Sequence, residues 1–424
     1  MTVGGAVTDV SGPVDGSPRR PLRIAVLGPY RHPIRQPYAG GLEAVVAGEV
    51  AGLRRRGHEV LLFAAAGSEG HERAHEYPGE LAAAGLGDVG YPPGGRERET
   101  REMHRVLDVV AGLGVDLVHN HALHPAPLER AGELGAPLVT TLHCPAFPEM
   151  ADPLAALGER AGAVLAVSRS VLGSWDAPAS AAVLYNGVDT RTWTPDAAHG
   201  PRHGAVWVGR LVPEKAPHLA VEAADRIGVP LTVVGRAADP DYVRDRLEPA
   251  VRAARTEVRL TGPLPATGVA RELARAELAF VTPDWEEPFG LTSVEALCCG
   301  TPVVAVARGG LAEILRGRTG AALVAPGPGL VDRLAAAARD VLEARPKAGG
   351  RALAEATAAE FSEARHLDAL EGVYRRVLED ARTGHDPAGD ASAGGAPAGD
   401  APAGDAPTDG APAGEDRHRV GLAR

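Results

Sequence analysis

Short apolar runs alternate with segments of helical apolar spacing along this chain, and they do so in two successive series. The run 22–28 (LRIAVLG) is continuously apolar after a proline, which suits a strand buried on both faces. Residues 40–57 (GGLEAVVAGEVAGLRRRG) then carry apolar positions at helical spacing, a basic last turn and a closing glycine. Strand runs at 58–64, 115–121, 136–143 and 163–168 follow, with helices expected near 99–113 and 125–134. That is a βαβ series with a parallel sheet. A second series starts at 204–210 and continues through strand runs 229–235, 257–262, 277–283, 301–306 and 321–326. Its helices are expected at 215–227, 241–254, 291–299, from 310, and near 329–343 and 363–381.

The predicted fold class is therefore α/β, with two Rossmann-like doubly wound domains over 21–185 and 204–360. A polar, turn-rich linker (186–203) joins them, and a helix over 361–383 closes the folded part. Residues 1–20 lack periodicity, and 384–424 are a near-repeat of Ala, Pro, Gly and Asp; both read as disordered extensions. Two facing domains of this type bring the C-terminal edges of both sheets to one cleft.

Composition removes several function classes. The net charge of −11 argues against a nucleic-acid binder that relies on phosphate neutralisation. No apolar run reaches 18 residues, so no transmembrane helix is expected, although peripheral membrane contact through a local basic patch stays open. Cys144, Cys298 and Cys299 do not make a disulfide framework, and the N-terminus lacks the apolar core of a signal peptide; the expected location is cytoplasmic.

The most informative segment is 282–310 (TPDWEEPFGLTSVEALCCGTPVVAVARGG). Its strand ends in a loop carrying Glu287, Pro288, Phe289 and Gly290, and a helix opens at Leu291 with Glu295 on it. Free backbone N–H groups at that helix start favour an anion such as a diphosphate, and the two carboxylates can accept hydrogen bonds from sugar hydroxyls. The block 206–224 (VWVGRLVPEKAPHLAVEAA) places Arg210 and Lys215 where they can converge on phosphate, Arg as a fork and Lys as a point charge. Lys215 is one of two lysines in a chain that otherwise uses arginine, which adds weight to it. Gly40 and Gly41 open a helix and allow close approach of a phosphate to its first amides.

The segment from Glu287 to Val303 resembles the E-x7-E region of glycosyltransferase family 4, the retaining transferases of the GT-B fold: Glu287, Phe289, Gly290, Glu295, Ala296, Gly300, Pro302 and Val303 stand in register with it. The family's G-R-L-x-x-x-K-G is similar to 209–216, with Ala216 in place of the glycine, and its G-G-x-E to Gly40, Gly41 and Glu43. The resemblance implies a hexosyltransferase whose donor is a nucleotide diphosphate sugar, UDP-glucose being favoured. Glu287 would hold the donor sugar and Glu295 the ribose, while Arg210 and Lys215 would hold the diphosphate, with Gly40, Gly41, Phe289, Gly290 and Leu291 around it. His143 matches the family's T-x-H strand end and would contact the sugar near the reacting carbon. His121, in HNHALH (119–124), is the candidate for an acceptor-side wall. The acceptor is an unidentified small molecule or lipid. A narrower likeness, in 31–41, 141–145 and 214–218, is to a bacterial subgroup labelled UDP-glucose:tetrahydrobiopterin glucosyltransferase.

No cofactor or metal is expected. The three histidines of 119–124 lack a carboxylate partner in their motif, and the D-x-D at Asp239-Pro240-Asp241 suits a helix N-cap. Two other functions share the architecture: a UDP-sugar 2-epimerase, which lacks the E-P-F-G…E block, and an inactive nucleotide-sugar-binding partner, which would have lost the charged groups that this chain keeps.

Overall fold

The structure is a computed structural model that describes residues 20–71, 76–77, 94–195, 201–344 and 350–383. Nearly all of the leader and the whole repeat tail, 384–424, lie outside the described residues.

The N-terminal half runs β1 (Arg23–Leu27), α1 (Gly41–Arg55), β2 (Glu59–Ala65), β3 (Glu76–Tyr77), α2 (Gly95–Ala111), β4 (Leu117–Asn120), α3 (Ala126–Glu129), β5 (Leu138–Leu142), α4 (Pro148–Leu157), β6 (Ala163–Ala166), α5 (Arg169–Leu172) and β7 (Ala182–Val183). Its described strands form one parallel sheet in the order β3-β2-β1-β4-β5-β6-β7. The chain order reverses between β1 and β4, and such a switch point opens a crevice at the C-terminal strand edges.

The second half runs β8 (Ala205–Val208), α6 (Pro217–Ile227), β9 (Leu231–Val234), α7 (Pro240–Tyr242), α8 (Glu248–Ala253), β10 (Val258–Gly262), α9 (Ala266–Arg275), β11 (Leu278–Val281), α10 (Leu291–Cys298), β12 (Val303–Val306), α11 (Gly310–Leu315), β13 (Ala321–Val324), α12 (Leu330–Ala344), α13 (Arg351–Phe361) and α14 (Glu363–Thr383). Its sheet is also parallel, ordered β10-β9-β8-β11-β12-β13, with the switch between β8 and β11.

Alternation along the central strands explains the continuous apolar runs. Ile24 and Val26 join one apolar cluster, and Ala25 and Leu27 another on the opposite face. Leu278 and Phe280 face away from Ala279 in the same manner. A strand covered by helices on both faces has no polar side to show.

Several elements depart from the sequence reading. The helix expected near 125–134 is α3 followed by a 3-10 turn at Ala131–Glu133, in a stretch where Gly132 and Gly135 weaken helix propensity. The segment at 241–254 is helical through a π turn at Val243–Leu247 between α7 and α8. Strands β3 and β7 and helices α4, α5, α9 and α13 were not among the expected elements; both strands are only two residues long and α5 only four.

The chain crosses between the halves twice, near 186–189 and at 361–363. The two crossings hydrogen-bond as a parallel bridge: Val188 N donates to Phe361 O (2.8 Å), and Glu363 N to Val188 O (2.8 Å). Gly187 fits there because a Cβ would stand 2.6 Å from His366 Cβ and 2.9 Å from Glu363 Cα. Beyond the bridge, α14 returns to the first half and packs Leu367, Leu370, Val373 and Tyr374 into the cluster formed by β1 and α1. Arg56, the residue after α1, reaches Asp368 (2.7 Å) and Glu371 (3.0 Å) on α14.

Candidate active site

A cleft of about 700 Å³ lies between the halves, lined from both. Its chemistry comes from the C-terminal ends of strands. Gly40 and Gly41 follow β1, His143 follows β5, Gly209 and Arg210 follow β8, and Glu287 follows β11.

The helices α1 and α10 both begin at this cleft. Gly41 opens α1, and a Cβ on it would stand 3.0 Å from the Leu291 side chain, which opens α10. Two helix N-termini therefore present their unpaired amides, and the positive ends of their dipoles, to one locus. Gly290, the residue before α10, has φ +85, and a Cβ there would meet Leu311 Cδ2 at 2.3 Å. Only glycine satisfies both the left-handed backbone and that contact.

Lys215 sits in a 3-10 turn, Pro213–Lys215, two residues ahead of α6. The sequence reading had it opening the helix itself. Ala216, in the left-handed region at φ +43, separates the two, and Pro217 then starts α6 at a position where its missing N–H costs nothing. Ala216 occupies the place where the family pattern has glycine, so the backbone keeps the glycine-like conformation with a Cβ on it. Thr282 holds this turn: its hydroxyl lies 3.2 Å from Lys215 O and 3.0 Å from Ala216 O, and it accepts from Trp207 Nε1 at 3.0 Å.

Held there, Lys215 Nζ donates to Glu287 Oε2 at 2.6 Å, and Trp285 Nε1 donates to the same oxygen at 2.9 Å. An ammonium has three donors, so Lys215 can hold Glu287 and an anion together. Arg210 lies 3.4 Å from Glu214. The Glu287 loop is fixed from behind: Gly310 N donates to Glu287 O (2.7 Å), and Ser168 Oγ, which caps α5, donates to Pro288 O (2.6 Å) from the other half. Phe289 is buried against Tyr185 and Phe361 beneath the loop, and it also contributes to the lining of the cleft. Glu295 lines the cleft, and burial pushes its carboxyl up to about 8.

His143 lines the opposite wall, and burial among other histidines pushes it down to about 3. His121 does not form a wall. It is fully buried behind His143, with Nδ1 2.8 Å from His143 Nε2, and Leu123 lines the cleft instead. Its position in β4's extension aims the ring inward, because alternate residues of a strand face opposite sides.

The carboxylate that the histidine motif lacks locally comes from α1. Glu49 Oε2 lies 3.2 Å from His121 Nε2 and 3.7 Å from His119 Nδ1, and Glu49 Oε1 lies 3.0 Å from His366 Nε2 of α14. Glu49, His119 and His121 are close enough to suggest a metal site. His119 Nδ1, however, has one lone pair, and the Tyr374 hydroxyl 2.7 Å away competes with any ion for it. A hydrogen-bonded chain describes the cluster better. Burial raises the Glu49 carboxyl, but the hydrogen bonds and attraction of His121 and His366 outweigh it and hold the group well below the usual range. Burial lowers His366, and its bond to and attraction by Glu49 reverse that, leaving it raised.

The D-x-D residues lie apart from this chemistry. Asp239 Oδ1 accepts from Tyr242 N (2.9 Å) as the N-cap of α7, and Asp241 pairs with Arg244 at 2.7 Å. Sequence reading missed Glu313, whose carboxylate accepts from Arg169 N (3.0 Å) and Ser170 N (3.2 Å) at the start of α5 and so ties α11 to the other half.

Known proteins agree with this arrangement. Residues 39–192 match the family described as Glycosyltransferase Family 4, and 199–358 match Glycosyl transferases group 1. A D-inositol 3-phosphate glycosyltransferase of Mycolicibacterium smegmatis is 30% identical over 86% of this chain and 93% of its own length. A glycogen synthase of Mycobacterium tuberculosis is 39% identical over 41% of this chain, a match that spans only 42% of that relative. Among solved structures, HepE of Anabaena in complex with UDP-glucose superposes with a TM-score of 0.62 at 21% identity, covering 85% of this chain and 100% of that one. With two parallel α/β halves facing one cleft and a relative aligned along nearly its whole length, the chain belongs to family 4 of the glycosyltransferases, built on the GT-B fold.

Proposed function

We propose that the protein is a retaining hexosyltransferase that uses a nucleotide diphosphate sugar, UDP-glucose by preference, and transfers the sugar to a small-molecule or lipid acceptor. The observation that carries this reading is the meeting of α1 and α10 N-termini beside Lys215 and Arg210, with Glu287 and Glu295 in the same cleft. Charge develops on the leaving diphosphate as the glycosidic bond lengthens, and fixed positive groups placed there act mainly in the transition state. Lys215 links the two parts of the site: through Glu287 it touches the sugar side, and through its remaining donors the phosphate side. Glu287 accepts hydrogen bonds from sugar hydroxyls, and Glu295, neutral below about pH 8, meets the ribose as both donor and acceptor.

Family resemblance supports front-face transfer, in which the departing diphosphate takes the acceptor proton. His143 is held well below neutral pH as a base, which fits a hydrogen-bonding role toward the sugar better than proton abstraction. The complex of the Anabaena neighbour with UDP-glucose supports a uridine donor. A thermal-shift screen across nucleotide sugars tests the donor, since a true donor stabilises the fold by mass action. Product analysis then separates UDP release with sugar transfer from epimer formation. Epimerised donor without transfer to any acceptor would overturn the reading.

A further inference from the structure

We propose that Glu49 is a positioning residue that acts through His121 to fix His143 as the tautomer protonated on Nε2, so that Nδ1 faces the cleft as a hydrogen-bond acceptor for a sugar hydroxyl.

The argument is proton bookkeeping along a buried chain. His366 Nδ1 lies 2.7 Å from the carbonyl oxygen of Tyr185, which can only accept, so Nδ1 carries a proton. His366 Nε2 lies 3.0 Å from ionised Glu49 and carries one too. His366 is therefore an imidazolium, and one buried cation balances one buried carboxylate. A second imidazolium in the same cluster would be uncompensated, which burial penalises strongly. His121 is accordingly neutral.

The position of its single proton follows from its neighbours. His121 Nε2 lies 3.2 Å from the charge of Glu49 Oε2, a buried oxygen that no aligned donor reaches, and 3.2 Å from His119 Nδ1. The Tyr374 hydroxyl has His119 Nδ1 as its partner at 2.7 Å; with its proton directed to that nitrogen, His119 has none to give to His121, and the Glu49 charge draws the His121 proton to Nε2. The proton of His121 is on Nε2, and its Nδ1 is bare. At 2.8 Å from that bare nitrogen, His143 Nε2 must donate. His143 is neutral, so its other nitrogen carries no proton, and the side chain lines the cleft. A carboxylate that orients a histidine and selects its tautomer is a recurring device in active sites. Here a second histidine is interposed, and the carboxylate is anchored by α14.

This inference rests on reading the cleft as the donor site, and the test separates the two. Two-bond 1H–15N correlation spectra of histidine-labelled protein report each ring's tautomer without reference to activity. The expected wild-type signature is His143 protonated at Nε2, His121 at Nε2 and His366 at both nitrogens. In Glu49→Gln the NH2 donates to the bare Nε2 of a now neutral His366 and the carbonyl faces His121, so the wild-type tautomer should persist. In Glu49→Leu the charge that draws the His121 proton to Nε2 is gone, so the Nδ1-protonated form of His143 should appear. kcat/KM for the nucleotide sugar should fall about tenfold, with melting temperature tracked alongside. A wild-type spectrum with the His143 proton on Nδ1 overturns the proposal, and that result does not depend on any variant folding. So does a Glu49→Leu protein with unchanged tautomer and unchanged kcat/KM. If no nucleotide sugar binds or turns over, the donor-site reading fails instead, while the wild-type spectrum still decides the tautomer.

Discussion

Gly41 and Leu291, the first residues of two helices from opposite halves of the molecule, stand so close that a Cβ on the glycine would lie 3.0 Å from the leucine's Cδ1. This contact sets the spacing between two rows of helix-terminal amides. A branched side chain on Gly41 would wedge the rows apart. Gly41→Val is expected to weaken nucleotide-sugar binding about tenfold while leaving the melting temperature of the free protein nearly unchanged. Isothermal titration with UDP checks this, and wild-type affinity in the variant would show that the rows do not share one ligand.

Lys215→Ala removes the ammonium that bonds Glu287 at 2.6 Å. Because that charge acts chiefly on the departing phosphate, kcat should fall by ~10²–10³-fold. Steady-state UDP release measures it. Turnover at the wild-type rate would remove Lys215 from the mechanism.

Glu295 gives a pH signature. Burial raises its carboxyl from 4.5 to about 8, so between those values the folded protein holds a proton that the unfolded chain has lost. Stability from this group therefore falls as pH rises through that window. Glu295→Gln cannot ionise and should be free of that loss. Melting curves at pH 6 and pH 8.5 should show the variant gaining on wild type at the higher pH. Parallel behaviour at both would mean that Glu295 ionises normally.

Asp239→Asn with Asp241→Asn should leave turnover unchanged, because Asp239 caps α7 and Asp241 pairs with Arg244 rather than holding an ion. An asparagine caps nearly as well as an aspartate. Rates measured with and without added Mg²⁺ or Mn²⁺ check this, and a variant that loses a metal-stimulated activity would reverse the assignment.

The main strands and the longer helices were legible because apolar runs and helical spacing report burial directly. Gly40, Lys215 and Glu287, in the connections that follow strands, and Glu295, on the helix that follows the Glu287 loop, could be read for the same reason, since each comes after a recognisable run. Glu49 and His366 were not. They meet across 317 positions, and each is buried among apolar residues of its own helix, Glu49 next to Val50 and His366 next to Leu367. A polar residue on such a stripe is the available signal, but it says only that a partner exists. His121 was misread for a related reason: the strand's alternation was not carried past Asn120, where it turns the ring inward.

The return of α14 also bears on the order in which the molecule can be made. The hydrophobic layer between β1 and α1 contains Leu367, Leu370 and Tyr374, and the charge on Glu49 is balanced by His366. A ribosome that has released the whole first sheet has thus not yet supplied everything that sheet needs. During synthesis, the first half keeps an apolar face and a buried acid uncovered until the second half has been translated and its last helix emerges. The first domain in sequence is then among the last to finish, and the cleft becomes competent only when both halves exist.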